Sequence, residues 1–215
     1  LTAVFSLTAC KKDDSQKTFT VLTNCPFEPF EYTENGKIYG IDMEIAAGFA
    51  KENNYKLVIK NIDFDAIESQ IDAGYGDIGM AGMSITPERE ESMAMTFPYL
   101  NNQIVCYVKD DSDITSLADL AGKSVAVQNG SYAEELLLSD AYADAKASFA
   151  DMPGFEDYLT PLKDLQQGGV DAVIMDLVVG DYRINSMGAE NLKAAFALED
   201  DNYGIGFRKD DLALR

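Results

Sequence analysis

The run Asp77-Ile78-Gly79-Met80-Ala81-Gly82-Met83-Ser84-Ile85-Thr86-Pro87-Glu88-Arg89 concentrates side chains that could hold an anion. Asp77 to Met80 is short and apolar, the pattern of a buried strand. Thr86-Pro87-Glu88 is a helix start, with Thr at the N-cap, Pro in the first helical position and Glu in the first turn. Between them, Ala81, Gly82 and Ser84 read as a small-residue turn that leaves the backbone open to a close visitor. Arg89 then falls on the first helical turn, aimed back toward the strand end. Backbone N–H groups, a hydroxyl and a guanidinium converging on one point make a carboxylate receptor. Strand-turn-helix units are also common scaffolding, and an Arg on a first turn is often solvated, so the run by itself leaves both readings open.

The elements around it alternate. Phe19–Thr23 reads as a strand, Gly36 as a hairpin turn, and Ile38–Ile41 as a return to the core. Asp42–Asn53 is helical, with Met43, Ala46, Ala47 and Ala50 on one face. Tyr55–Asn61 is a strand, Asp63 a helix cap, Ile67 and Ile71 one turn apart, and Gly74 a helix end. The pattern repeats in Ser124–Gln128 (strand), Asn129-Gly130-Ser131 (turn), Ala133–Leu138 and Pro161–Gln167 (helices) and Val170–Met175 (buried strand). Gly74-Tyr75-Gly76-Asp77-Ile78 matches Gly168-Gly169-Val170-Asp171-Ala172: helix end, glycine, two residues, aspartate, strand. Such alternation predicts an α/β fold of two similar lobes, each a mostly parallel sheet with flanking helices. Lobe 1 is expected over residues 18–108 plus 200–215 and lobe 2 over 109–199, joined by hinge strands at Val105–Lys109 and Tyr203–Phe207. Ligands of open α/β sheets sit beyond the carboxyl ends of strands. That gathers Thr23–Phe30, Gly82–Arg89, Gln128–Tyr132 and Asp176 around one cleft, and two hinges suit closure on a ligand.

Composition removes several alternatives. At 215 residues and 47% hydrophobic, the chain can bury a real core. A net charge of -20 argues against a nucleic-acid partner. With no histidine there is no Ser-His-Asp or Cys-His system and no His-based zinc site. No phosphate-binding Gly-rich motif occurs, and the acidic runs Asp110-Asp111-Ser112-Asp113 and Glu199-Asp200-Asp201-Asn202 lack calcium-loop spacing and read as solvated turns. No metal or cofactor is expected.

Residues 1–9 are apolar and small, too short to span a bilayer, and read as the end of a signal peptide. Leu7-Thr8-Ala9-Cys10 resembles a bacterial lipobox, which would make Cys10 a lipidated N-terminus and residues 10–17 a polar tether; an ordinary signal end with an incidental cysteine is the alternative. Both termini read as cut. Cys25 and Cys106 are expected to be free and buried.

From Phe19 to Arg215 the chain resembles the extracellular solute-binding proteins for polar amino acids, the receptors of ATP-driven importers. The marks are Pro26-Phe27-Glu28-Pro29-Phe30, Gly40-Ile41-Asp42-Met43-Glu44-Ile45, Asp63-Phe64, the run Gly82–Arg89, Gly122-Lys123-Ser124-Val125-Ala126-Val127, Asp171-Ala172-Val173 with Asp176, and Tyr203-Gly204-Ile205-Gly206-Phe207. The resemblance implies a two-lobe type II periplasmic-binding-protein fold and a monomeric, non-enzymatic receptor. The receptor would be held outside the cytoplasmic membrane by its lipid and serve an ABC permease. It implies that Arg89 grips the ligand α-carboxylate with help from Ser84 and Ser131. Asp176, with the Gly82 carbonyl and the Ser84 side chain, would hold the α-ammonium. Phe27 and Phe64 would stack on the ligand side chain, with Phe30 structural. Asn24 and Gln128 face the side-chain end, and their uncharged amides suit a neutral polar amino acid such as glutamine or cystine. Two other classes share the fold: exported cyclohexadienyl dehydratases, for which Glu28 is the one unassigned carboxylate near the cleft, and the sensor domains of transmembrane receptors.

Overall fold

The computed structural model describes residues 16–189 and 191–211. The first part of the chain forms β1 (Thr18–Thr23), the hairpin strands β2 (Tyr32–Glu34) and β3 (Lys37–Tyr39), and α1 (Ile41–Glu52). There follow β4 (Lys56–Asn61), α2 (Ile67–Asp72), β5 (Ile78–Ser84), α3 (Pro87–Ser92), β6 (Met93–Met95) and the long β7 (Leu100–Lys109). The remainder forms β8 (Val125–Gln128), α4 (Tyr132–Leu138), α5 (Ala143–Ser148), β9 (Gly154–Phe155), α6 (Leu159–Gln167), β10 (Ala172–Asp176), α7 (Leu177–Met187) and β11 (Leu192–Arg208).

Strand order is β4-β1-β5-β11-β7-β10-β8-β9, with β6 added beside β11. β1 is parallel to β4 and β5, and β8 is parallel to β10 and β9. Between these two parallel halves lies an antiparallel ribbon of β7 and β11, interrupted by register shifts at Ala194/Phe196 and Ala197/Glu199. Helix-covered parallel strands are buried on both faces, so they read as continuous apolar runs, as β5 and β10 do.

The repeated glycine-aspartate segment is one device used twice. Gly74 and Gly168 end their helices at φ 79° and φ 83°, a backbone region that costs a side chain energy but not glycine. Three residues on, Asp77 N–H donates to Thr20 O (2.8 Å), and Thr20 N–H donates to the Asp77 carboxylate (2.6 Å). Asp171 N–H likewise donates to Ser124 O (2.9 Å), and Ser124 N–H to the Asp171 carboxylate (2.9 Å). Each aspartate thus sets the register of the strand it opens.

One apolar cluster lies under α1 (Phe19, Val21, Met43, Ile78, Met80), one under α2 (Leu22, Ile67, Ile71, Met83) and one against α4 (Val125, Val127, Leu137, Ile174). Ile71 is fully buried, and truncating it to Ala would cost about 2–5 kcal/mol.

Several elements differ from the sequence reading. The strand expected at Asp77–Met80 runs to Ser84, so Ala81–Ser84 is strand and not turn. Its antiparallel partner β11 supplies the extra ladder, pairing Ser84 with Tyr203. β11 itself begins at Leu192, well before Tyr203, and absorbs the supposed solvated turn Glu199–Asn202. Ile41 and Ala47 are exposed, because α1 turns Met43, Ala46 and Ala50 inward instead. Asp63 precedes a single 3-10 turn (Phe64–Ala66) and makes no side-chain cap bond. Cys25 and Cys106 are free, but only Cys106 is buried; Cys25 lies in a half-exposed loop.

Candidate functional site

Arg89 is turned inward by the start of α3. The Thr86 hydroxyl accepts from Arg89 N–H (3.1 Å), and Pro87 occupies the first helical position, where no amide donor is needed. Arg89 is 3% exposed. Nη1 donates to Ser84 O (3.0 Å), and Nη2 donates to Gly130 O (2.9 Å) and to Glu135 Oε1 (3.0 Å). The Phe64 ring centroid lies 5.5 Å from its Cζ. Charge-assisted bonds of this kind contribute about 1.5–3 kcal/mol each when desolvated. Arg89 therefore ties the strand end of β5 to the Gly130 turn and α4, in the other half of the molecule. Burial raises the Glu135 carboxyl, and the Arg89 charge pulls it back.

Behind Arg89 the backbone is shaped by Gly82, at φ 58°. A Cβ there would fall 2.3 Å from Phe27 Cε1, so only glycine fits. Gly82 N–H donates to Asp42 Oδ2 (3.2 Å), and the Tyr99 hydroxyl donates to the same carboxylate (2.9 Å to Oδ1). Burial pushes Asp42 up to about 6. Glu31, wholly buried beside it, is raised well above its ordinary value by burial and by the Asp42 charge. Asp42 was legible only as part of a motif; its support of Gly82 joins residues forty positions apart.

Asp176 ends β10 at the N-cap position of α7, yet its side chain makes no cap bond there. It accepts from the Tyr203 hydroxyl (2.5 Å) and from Asn102 Nδ2 (2.8 Å). Burial, then the charge of Asp201, raises it to about 7. Asn102, Asp201 and Tyr203 come from the β7–β11 ribbon, where Asn102 and Asp201 are direct register partners. None of the three was named as a site residue from sequence. Asp201 looked like one more charge in an acidic run, and it is 3% exposed.

At the opposite end, Gln128 Nε2 donates to Asn24 Oδ1 (2.9 Å) and Glu156 O (2.8 Å), and Asn24 Nδ2 donates to Ile62 O (2.9 Å). Beside them is a polar cavity of about 150 Å³ lined by Asn24, Asn61, Asp63, Glu156 and Asp157 among others. Phe27 is buried in an aromatic cluster, 5.9 Å from Phe30 and 6.0 Å from Tyr158 between ring centroids. Phe64 is half-buried against Arg89.

Ser131 differs from its expected part. Its hydroxyl accepts from Glu134 N–H (3.2 Å) and donates to Gln128 O (2.8 Å), and its own N–H bonds Gln128 O (3.2 Å). In this arrangement Ser131 caps α4 and has no donor left for a ligand carboxylate. Glu28, the carboxylate an enzymatic reading could use, is paired with the buried Arg183 of α7. Among the described residues no cluster of His, Cys, Asp and Glu could hold a metal, and no helix is long and apolar enough to cross a membrane. The lipidation expected at Cys10 lies outside the described residues.

The bacterial extracellular solute-binding proteins, family 3, match residues 19–215. The arginine-binding extracellular protein ArtP of Bacillus subtilis is 35% identical over 136 residues, which is 61% of this chain and 53% of that protein, so the chain spans about half the length of this relative. An ancestral arginine-binding protein bound to arginine aligns with a TM-score of 0.84 at 33% identity, covering 93% of this chain and 88% of that one. A structure of an ancestral arginine-binding protein bound to glutamine gives 0.82 at 32% identity, covering 93% and 87%. The fold is thus the two-lobed α/β type II periplasmic-binding-protein fold. With two like-built halves meeting at Arg89 and Asp176, and the match running from β1 onward, the chain belongs to the bacterial extracellular solute-binding proteins, family 3, a family of binding proteins and not of enzymes.

Proposed function

We propose that this protein is an extracytoplasmic receptor for an α-amino acid, closing two lobes (18–108 with 200–215, and 109–199) on its ligand and delivering it to an ABC-type permease. Arg89 receives the α-carboxylate, aided by Ser84, and Asp176 receives the α-ammonium, aided by the Gly82 carbonyl. A lipid on Cys10 holds the receptor at the membrane. The observation that carries the reading is the placing of one buried cation and one buried carboxyl group, Arg89 and Asp176, at the junction of the two halves. A zwitterion offers the complementary pair, and a micromolar affinity needs only about 8 kcal/mol in total.

The side-chain preference we infer is for a ligand ending in several N–H donors, arginine before glutamine. Asn24 and Gln128 taken alone suit a neutral amide. The adjoining cavity, however, is lined by the acidic residues Asp63, Glu156 and Asp157, and the Glu156 carbonyl already accepts from Gln128. The names of the relatives agree, since one is an arginine-binding protein and the ancestral arginine-binding protein was also seen with glutamine. Phe64 and Phe27 would flank the ligand's aliphatic stem. Calorimetric titration with arginine, glutamine, histidine and cystine tests this. Binding of arginine tighter than glutamine is expected; binding of cystine alone would overturn the side-chain reading, and no binding by any amino acid would overturn the receptor reading.

A further inference from the structure

Asp201 is a buried acid at the ammonium end that the receptor reading leaves unused. It lies on β11 opposite Asn102 of β7. Asn102 Nδ2 is 2.8 Å from Asp176 Oδ1 and 3.3 Å from Asp201 Oδ2, so one amide NH₂ bridges two carboxyl groups. The other Asp201 oxygen accepts from Asn202 N–H (2.8 Å). Both acids are buried, and neither forms an ion pair with a Lys or Arg among the described residues. The groups facing the pair are the hydroxyls of Tyr203, Tyr158, Tyr99 and Ser84; Arg89, which favours the charged form of Asp201, is itself bonded to Glu135. The Glu31–Asp42 pair stands behind Gly82.

Two adjacent buried carboxyl groups without a cation cannot both ionise cheaply, so such a pair keeps a proton well above the usual carboxylate range. Burial and mutual charge act in that direction here: Asp176 is raised to about 7, and Asp201 is raised as well. Resting on the assignment of Asp176 to the ligand α-ammonium, we propose that Asp201 is a second acidic group of the ammonium subsite and that the arriving ammonium displaces a proton shared by Asp176 and Asp201. The ligand keeps its three N–H protons; the carboxyl O–H bond breaks, and that proton passes to solvent. Ligand affinity then rises with pH toward neutrality, by up to about tenfold per pH unit where one proton is released. Asp201 tunes this response, because without its charge Asp176, still raised by burial, ionises at lower pH and has less of a proton to give up.

The test is calorimetric titration of arginine and of glutamine into the full chain, in two buffers of different ionisation enthalpy, at about pH 6 and about pH 8. We expect between about half and one proton released per ligand at the lower pH and nearly none at the higher, with either amino acid. Asp201→Asn, checked for folding by circular dichroism, should bind with less proton release at the lower pH and with a shallower pH slope. Binding without proton release in the unaltered protein, or undiminished release in folded Asp201→Asn, overturns the inference and leaves the receptor reading standing. Absence of binding by any amino acid overturns both.

Discussion

Arg89 is surrounded by protein oxygens, whereas Asp176 is surrounded by hydroxyls, an amide and a second carboxyl group. The guanidinium already holds two carbonyls and the Glu135 carboxylate. Asp176 has no ion-pair partner among the described residues and is held by Tyr203 and Asn102. The positive end of the cleft is therefore satisfied by the protein, and the negative end is held in reserve. A ligand carboxylate has to share or displace protein partners at Arg89. A ligand ammonium meets an acidic pair that has no ion-pair partner among the described residues. On this view the ammonium contributes more to selectivity for amino acids, and the carboxylate contributes more to bridging the halves.

The sharpest break of that comparison is removal of either charge. Arg89→Ala and Asp176→Ala should each weaken amino-acid binding by about a hundredfold or more, since each deletes charge-assisted bonds in a dry site. Calorimetry on variants with unchanged circular dichroism checks this, and near-normal affinity in either would remove that residue from the site. The Glu31–Asp42 pair supplies a comparison within the protein, being a buried acidic pair that supports Gly82 without belonging to either charged end. Asp42 is raised to about 6 from an unfolded value near 3.8, so the folded state binds more protons than the unfolded one. Its contribution to stability is full below about pH 4 and is lost as pH rises through about 6, a change of roughly 2–3 kcal/mol. The melting temperature should fall between about pH 4.5 and pH 7.5, more gently in Glu31→Gln; a rise over that interval would contradict the assignment. At the side-chain end, Asn24→Asp adds a carboxylate to an acceptor-lined cavity and should shift preference toward arginine over glutamine by about tenfold. Competition titration reads the ratio directly. The smallest effect is expected from Glu135→Gln. It removes a rival for the Arg89 guanidinium and, being a partly exposed group, should tighten ligand binding by only about threefold. Weaker binding instead would mean that Glu135 holds Arg89 in place for the ligand.

Much of the site was legible where a local pattern has one physical meaning. Thr86-Pro87-Glu88 starts a helix, so Arg89 must lie on its first turn. Asp176 ends an apolar strand run, so it must lie at a strand's carboxyl end. Glycines before Asp77 and Asp171 end helices in both halves, because a left-handed residue followed by a strand needs them. Less legible were groups whose meaning depends on a neighbour far along the chain. Asp201 sits in an acidic run that any surface turn could carry, and only pairing with Asn102, ninety-nine residues earlier, buries it. Ser131 carried the right type for a carboxylate ligand, but its hydroxyl serves its own helix. Ala81–Ser84 looked like a turn because small residues permit one, and became strand because β11 offered hydrogen bonds to its backbone.

Sequence alone determined the class of elements, their alternation, the internal repeat and the two charges of opposite sign, since periodicity, caps and glycine placement act over a few residues. The tertiary structure decided which partners those charges have: Arg89 with Gly130 and Glu135, Asp176 with Tyr203, Asn102 and Asp201. The physical reason is that burial and like-charge proximity exist only once β5, β7, β10 and β11 share a sheet, and those two conditions set whether a carboxyl group there carries a proton or a charge.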